Sequence, residues 1–206
     1  MVLRQLDLFA GTTIGFDGSF SQARRVELAG GAWVEYAPGW VSGHDALFEQ
    51  LERELSWKSE RRHMYERVVD TPRLLAKVPH TGIVEEMRVA LSAHYGEELV
   101  RTTAALYRDG NDSVAFHGDR VARDMDQALM ATVSLGQPRR FLMRPASPFE
   151  GEERRTVAFQ LGWGDLLVMG GTCQRTWRHG IPKVARAPGP RIALMFRPAW
   201  AASYDG

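Results

Sequence analysis

Lysine is nearly missing from this chain, and so is cysteine. Only Lys58, Lys77 and Lys183 are lysines, which leaves 23 arginines among the 26 basic residues of a 206-residue sequence. Arginine suits planar contacts with carboxylates and phosphates, although the codon usage of a GC-rich genome explains the bias at least as simply. The single Cys173 excludes an internal disulfide, which fits a reducing cytoplasm. No apolar run approaches the ~18 residues of a membrane span, and the first residues lack the apolar core of a secretory signal. A soluble, cytoplasmic protein without a membrane partner is therefore expected. Charge of one sign is also lacking. The formal net charge is +1, so any nucleic-acid binding has to come from a local basic patch and not from the field of the whole molecule.

What is present is 44% apolar residues, enough for one folding unit with its own core, expected to be a monomer. Residues 32–36 read as a strand that stops at Pro38-Gly39. Leu47, Phe48, Leu51 and Leu55 then recur at helical spacing, predicting a helix to about residue 56 with Ser42 as its N-cap. A second helix is predicted over 83–95, with Val84, Met87, Val89 and Leu91 inward and Gly96 as terminator. Between the helices, 57–67 is polar, basic and aromatic without a clear period. It reads as a loop, either an ordinary solvated one or a lid that stacks on a base and contacts phosphates.

After Arg101 the pattern turns to short β runs, at 103–107, 113–117, 131–135, 140–144, 156–161, 165–169 and 191–197, with Gly170-Gly171 read as a turn. Such a set predicts a mainly β, α+β fold, a sandwich or jelly roll with the N-terminal helices packed outside. Residues 1–100 would be an N-terminal extension carrying the helices and lid, and 101–206 the core, within one folding unit. Cys173, Met143, Met169 and Met195 read as buried filler.

The candidate chemistry lies in Phe116-His117-Gly118-Asp119 and Trp177-Arg178-His179-Gly180. On a strand, His117 and Asp119 would project to the same side. If His179 folds back beside them, two imidazoles and a carboxylate take three adjacent corners of an octahedron, as in non-haem Fe(II) oxygenases. The last predicted strand alternates so that Arg191, Ala193, Met195 and Arg197 share a face. If that face is interior, its cations need an anionic partner such as a dicarboxylate; if it is exposed, arginines guard an edge.

Taken in order and spacing, several blocks resemble the AlkB family of iron- and 2-oxoglutarate-dependent dioxygenases. They are Leu106-Tyr107-Arg108-Asp109-Gly110-Asn111-Asp112, His117-Gly118-Asp119, Val133-Ser134-Leu135-Gly136 followed by Arg140-Phe141, Gly164-Asp165-Leu166-Leu167-Val168-Met169, His179-Gly180-Ile181-Pro182 and Pro190-Arg191 to Phe196-Arg197. The resemblance covers 101–198 and implies a double-stranded β-helix. It implies His117, Asp119 and His179 as iron ligands and catalytic centre. Arg191 and Tyr107 would sit at the distal carboxylate of 2-oxoglutarate, and Arg197 near its keto-acid end. It further implies oxidative demethylation of 1-methyladenine or 3-methylcytosine in single- or double-stranded DNA or RNA, with O2 consumed and formaldehyde and succinate released. Trp57, Met64, Tyr65 and Arg73 would then line the lid, and Arg120 and Arg123 would contact the backbone. The chain departs from the family pattern at Ala105, Ala193, Met195 and Val121. Alternatives are an oxygenase acting on a protein or small molecule, or a low-turnover binding protein.

Overall fold

The computed structural model describes residues 13–64, 67–119, 125–149, 156–186 and 189–199, and within 60–71 the backbone alone. In chain order the strands of the N-terminal half are β1 (Gly15–Phe16), β2 (Arg24–Leu28), β3 (Ala32–Ala37), β4 (Val41–Ser42), β5 (Lys58–Met64) and β6 (Arg67–Lys77). Helix α1 (His44–Glu54) precedes β5, and α2 (Gly82–Tyr95) follows β6. Then come β7 (Leu99–Tyr107), β8 (Val114–His117), β9 (Met130–Gly136), β10 (Arg139–Pro145), β11 (Val157–Leu161) and β12 (Asp165–Gly171). A short α3 (Cys173–Thr176) leads into β13 (Trp177–Ile181), and β14 (Arg191–Pro198) is last.

Eight strands form an antiparallel sheet in the order β2-β3-β12-β9-β14-β7-β6-β5, and four form a second sheet, β11-β10-β13-β8. β14 is central, between β7 and β9, and its pleat decides the layering. Ile192, Leu194 and Phe196 are fully buried in one cluster with Leu47, Phe48 and Leu51 of α1 and Val84, Met87 and Leu91 of α2. Ala193 and Met195, pointing the other way, join Phe141, Met143, Leu161, Trp177 and Ile181 of the small sheet. One face of the large sheet thus shares its core with helical residues, and the other encloses an interior with the small sheet. Each fully buried aliphatic or aromatic side chain contributes about 1.5–3 kcal/mol to holding these layers together. Among the described residues no helix is long and apolar enough to cross a membrane.

Several expectations are corrected. Helix α1 starts at His44, with Gly43 and not Ser42 at its N-cap; Gly43 has φ 62°, a left-handed conformation that serine adopts at a cost. Val89 is 50% exposed, because α2 turns that position away from the sheet. The polar stretch read as a loop is a hairpin, β5 against β6 with Lys58 opposite Leu75 and Met64 opposite Arg67. It extends the large sheet beyond β7, where an edge strand tolerates charged residues. Gly170 lies within β12 and not in a turn; a Cβ there would come within 2.0 Å of the Trp33 ring, so the indole occupies the side chain's place. Four strands from before residue 100, β2, β3, β5 and β6, belong to the same sheet as β7, β9, β12 and β14.

Candidate metal centre

Strands β8 and β13 pair antiparallel with His117 directly opposite His179, and the register slips between His179 and Ile181. Their rings lie 4.4 Å apart, centroid to centroid. Two glycines permit the approach. A Cβ on Gly180 would meet Val114 O at 3.0 Å, and one on Gly118 would meet Gln174 O at 2.5 Å. The pleat does not align Asp119 with His117, as β8 ends at His117. Asp119 is held instead through its own N–H, which donates to Gln174 Oε1 at 3.1 Å. One donor atom from each of His117, Asp119 and His179 lies within 4.8 Å of the others.

The surroundings set the protonation of these groups. His117 Nδ1 is 2.9 Å from Ala115 O. A carbonyl only accepts, so the bond requires the proton on Nδ1 and makes Nε2 the lone-pair nitrogen, the form that binds metals. His179 is buried, stacked on Phe141 at 5.4 Å and 16°. Burial pushes its imidazole down to about 3, with His117 and Arg197 adding to that and Asp119 opposing it. Burial raises Asp119, but Arg197 and the two imidazoles outweigh it and hold the carboxyl below its ordinary value. Arg197 Nε donates to Asp119 Oδ2 at 3.1 Å, and its other nitrogens reach Thr103 Oγ1 at 2.8 Å and Met195 Sδ at 3.3 Å. The neutral His179 imidazole beside an ionised Asp119 carboxylate is a ligand pair ready for a cation.

Further along the same face of β14 is Arg191, with no exposed surface. Its Nη2 donates to Ser134 Oγ at 2.6 Å, while Nε and Nη1 have no partner. The Tyr107 ring centre lies 5.3 Å from its Cζ. Burial lowers Arg191 to about 10, so it remains a cation at neutral pH. Arg73 reaches in from β6, donating from Nη1 to Tyr107 Oη at 3.4 Å, and its Nε is also buried without a partner. Ala105 and Ala193 face each other across β7 and β14 in the interior cluster. An unpaired buried cation is costly, and these unused donors fit an anion entering the space between the sheets. Two imidazoles and one carboxylate likewise fit Fe(II) with coordination positions left open.

Residues 29–197 match the 2OG-Fe(II) oxygenase superfamily. The chain belongs to that superfamily. Among its relatives this oxygenase-family chain is 30% identical over 182 residues to the bovine alpha-ketoglutarate-dependent dioxygenase alkB homolog 3, covering 78% of this chain and 64% of that one. It is 28% identical to the human protein of the same name, with the same coverage. It is 29% identical over 126 residues to mouse DNA oxidative demethylase ALKBH2, covering 60% of this chain and 53% of that one. It is therefore an AlkB-like member, and it spans a little under two thirds of the length of the first two relatives. A solved structure titled "The structure of OsALKBH1" superposes with a TM-score of 0.55 at 14% identity, covering 85% of this chain and all of that one. That likeness supports a jelly-roll type of fold for the two sheets.

The interior of this AlkB-like chain brings together His117, Asp119, His179, Tyr107, Arg191, Arg197 and Arg73. Trp57 is placed elsewhere. Its Nε1 donates to Glu52 O at 3.0 Å and its indole packs on the cluster shared with α1 and α2, so it does not line the interior. Met64 lies at the end of β5 with its backbone alone described, and Tyr65, Arg120, Val121 and Arg123 lie outside the described residues. Sequence reasoning missed Ser134, Gln174 and Thr103 as contacts of Arg191, Asp119 and Arg197. Only Ser134 had a signal, a hydroxyl that with Thr132 interrupts a mostly apolar strand.

Proposed function

We propose that this chain is an Fe(II)/2-oxoglutarate-dependent dioxygenase that oxidatively demethylates alkylated nucleobases of the 1-methyladenine or 3-methylcytosine type. One observation carries the reading: a His-Asp-His cluster and an anion-seeking Arg191 share one interior, the donors within 4.8 Å of one another and Arg191 fully buried with two nitrogens unpartnered. The names of the relatives, a dioxygenase and a DNA oxidative demethylase, support the reaction and substrate. Within this reading the fold is a double-stranded β-helix with the N-terminal helices outside, and the protein is a monomer acting on single- or double-stranded nucleic acid.

His117, Asp119 and His179 hold the metal, and Arg191 with Tyr107 and Ser134 holds the distal carboxylate of 2-oxoglutarate. Bound there, iron with 2-oxoglutarate and O2 would supply the oxidising power for hydroxylating an N-methyl group, with formaldehyde lost from the product. The chain's own residues orient and exclude. Arg197 neutralises and aims Asp119; the Ala115 carbonyl fixes the His117 tautomer; Gln174 positions Asp119 through its backbone. Phe141, Met143 and Leu167 keep the inner wall dry, which strengthens each electrostatic contact. Arg73 bridges this interior and the β5–β6 hairpin that would cover a flipped base.

The test is incubation with Fe(II), 2-oxoglutarate and single-stranded oligonucleotides carrying 1-methyladenine or 3-methylcytosine. Stoichiometric formaldehyde and succinate, with the unmodified base recovered, is the expected result. Succinate formed only with a protein or small-molecule substrate would overturn the nucleobase assignment, and absence of metal binding would overturn the whole reading.

A further inference from the structure

The small sheet has a second face that the site does not use. Its strands β8, β10, β11 and β13 carry four arginines and no aspartate or glutamate, in a chain whose net charge is only +1. Arg139 points inward, clamping the carbonyls of Asp109, Asp112 and Pro182 at 2.8 Å each. The other three do not. In β10 the inward residues Phe141 and Met143 are buried while Arg140 and Arg144 are exposed, and in β13 the half-buried Arg178 alternates with buried Trp177 and His179. Arg144 and Arg178 are directly opposite in the register, on strands about 4.8 Å apart. Like charges in that relation destabilise a sheet. Arg140 is four residues along β10 from Arg144, roughly 13 Å at the strand's rise.

Among the described residues no carboxylate relieves this repulsion. Among the described residues the side chains of Arg140 and Arg178 make no hydrogen bond or ion pair. Arg144 lies over the Phe116 ring at 3.9 Å, a contact that uses the flat face of its guanidinium and leaves the in-plane N–H groups as donors. The rest of the outer face is small or uncharged, with Ala158 and Gln160 exposed and Gly180 beside Arg178. Three arginines on one flat face, spaced along and across two strands, complement a linear run of anions.

We infer that the outer face of the small sheet, through Arg140, Arg144 and Arg178, is a docking track for the phosphate chain of a nucleic acid. The inference rests on the reading of a nucleic-acid substrate and adds to it a binding surface on the opposite side of the sheet from the metal. His179 neighbours Arg178 in sequence, so the track and the centre share a strand. Strand β8 is the sheet edge around which the polymer passes from one face to the other.

The test is binding of an unmethylated 15-nucleotide single strand, followed by fluorescence anisotropy against salt concentration. Each neutralised phosphate contributes roughly 0.7 to the slope of log K against log salt for a single strand. The combined variant Arg140→Gln, Arg144→Gln, Arg178→Gln should therefore lower the slope by about 2 and weaken binding tenfold or more at low salt. Its melting temperature should be no lower than the wild type's, since the three side chains sit outside the core and glutamine removes the like-charge pair of Arg144 and Arg178. The corresponding triple lysine variant, which keeps the charge, should retain the slope. A glutamine variant with wild-type slope and affinity overturns the track, as does a wild-type protein that binds no oligonucleotide at low salt, or one that binds poly-glutamate more tightly with the same dependence on these arginines. Repair of a methylated oligonucleotide by the wild type tests the proposed function separately, so a repairing enzyme with an unchanged slope loses the track alone.

Discussion

Arg191→Lys separates the cosubstrate assignment from mere structural burial. The wild-type guanidinium has one nitrogen on Ser134 and two without partners in a site closed to solvent. Lysine keeps the charge but cannot present planar donors to both the hydroxyl and an incoming carboxylate. A hydrogen bond to a charged group is worth about 1.5–3 kcal/mol, so losing one weakens 2-oxoglutarate binding roughly 10- to 150-fold. At 2-oxoglutarate a hundred times the wild-type Kd, binding adds about 2.7 kcal/mol of stability, and after a hundredfold loss the same concentration adds only about 0.4 kcal/mol. For a chain of this size 1 kcal/mol is worth about 2–4 °C in Tm, so a ligand-induced rise of about 5–11 °C should shrink to about 1–2 °C. The assay is anaerobic thermal denaturation with Mn(II) in place of iron, with and without 2-oxoglutarate, backed by calorimetric titration. An Arg191→Lys protein that folds and shows the full ligand-induced rise would refute the assignment of Arg191 to the cosubstrate.

Other predictions follow from packing and protonation. Gly170→Ala drives a methyl into the Trp33 ring and should cost about 1–3 kcal/mol, read as a lower urea midpoint. The metal-free protein should be acid-sensitive through His179, whose folded value of about 3 lies below the ordinary 6.5. The unfolded chain binds a proton there that the folded chain refuses, so this contribution is complete above pH 6.5 and is lost as pH falls toward 3. His179→Asn should flatten that part of a stability-versus-pH curve measured by denaturant titration, and an unaltered curve would count against the burial argument. Cys173 is buried with its thiol pushed up to about 12. It should resist iodoacetamide at pH 8 in the native protein and react once unfolded, as mass spectrometry would show.

Much of the fold was legible because strands such as β7, β9, β12 and β14 are apolar runs bounded by turns, and α2 ends at Gly96 where the helical spacing stops. The failures have a shared cause. In β5 and β6 charged residues and Pro72 hide the period, and those residues are strands because they pair beside β7 at an edge that accepts charge. β13 was legible as a motif but not as a strand, since Arg178 and Gly180 dilute an alternation that becomes visible only in its pairing with β8 and β10. Trp57 looked like a stacking residue by composition, yet the end of α1 offers it a carbonyl and an apolar bed. Gln174 and Thr103 carried no signal, because a polar residue gains its role only from the neighbour the fold brings to it.

The sequence by itself determined the chemical kinds at the centre, two imidazoles and a carboxylate, and the alternation that sets Arg191 and Arg197 on one side of a strand. Both are local properties, written in side-chain type and in the two-residue pleat. Only the tertiary structure decided that His117 and His179, far apart in the chain, stand opposite each other, that Arg191 is dry with two nitrogens unpartnered, and that Arg144 and Arg178 adjoin on an outer face with no acid among the described residues. Those facts depend on which strand pairs with which and on what water is excluded, and both depend on the whole chain.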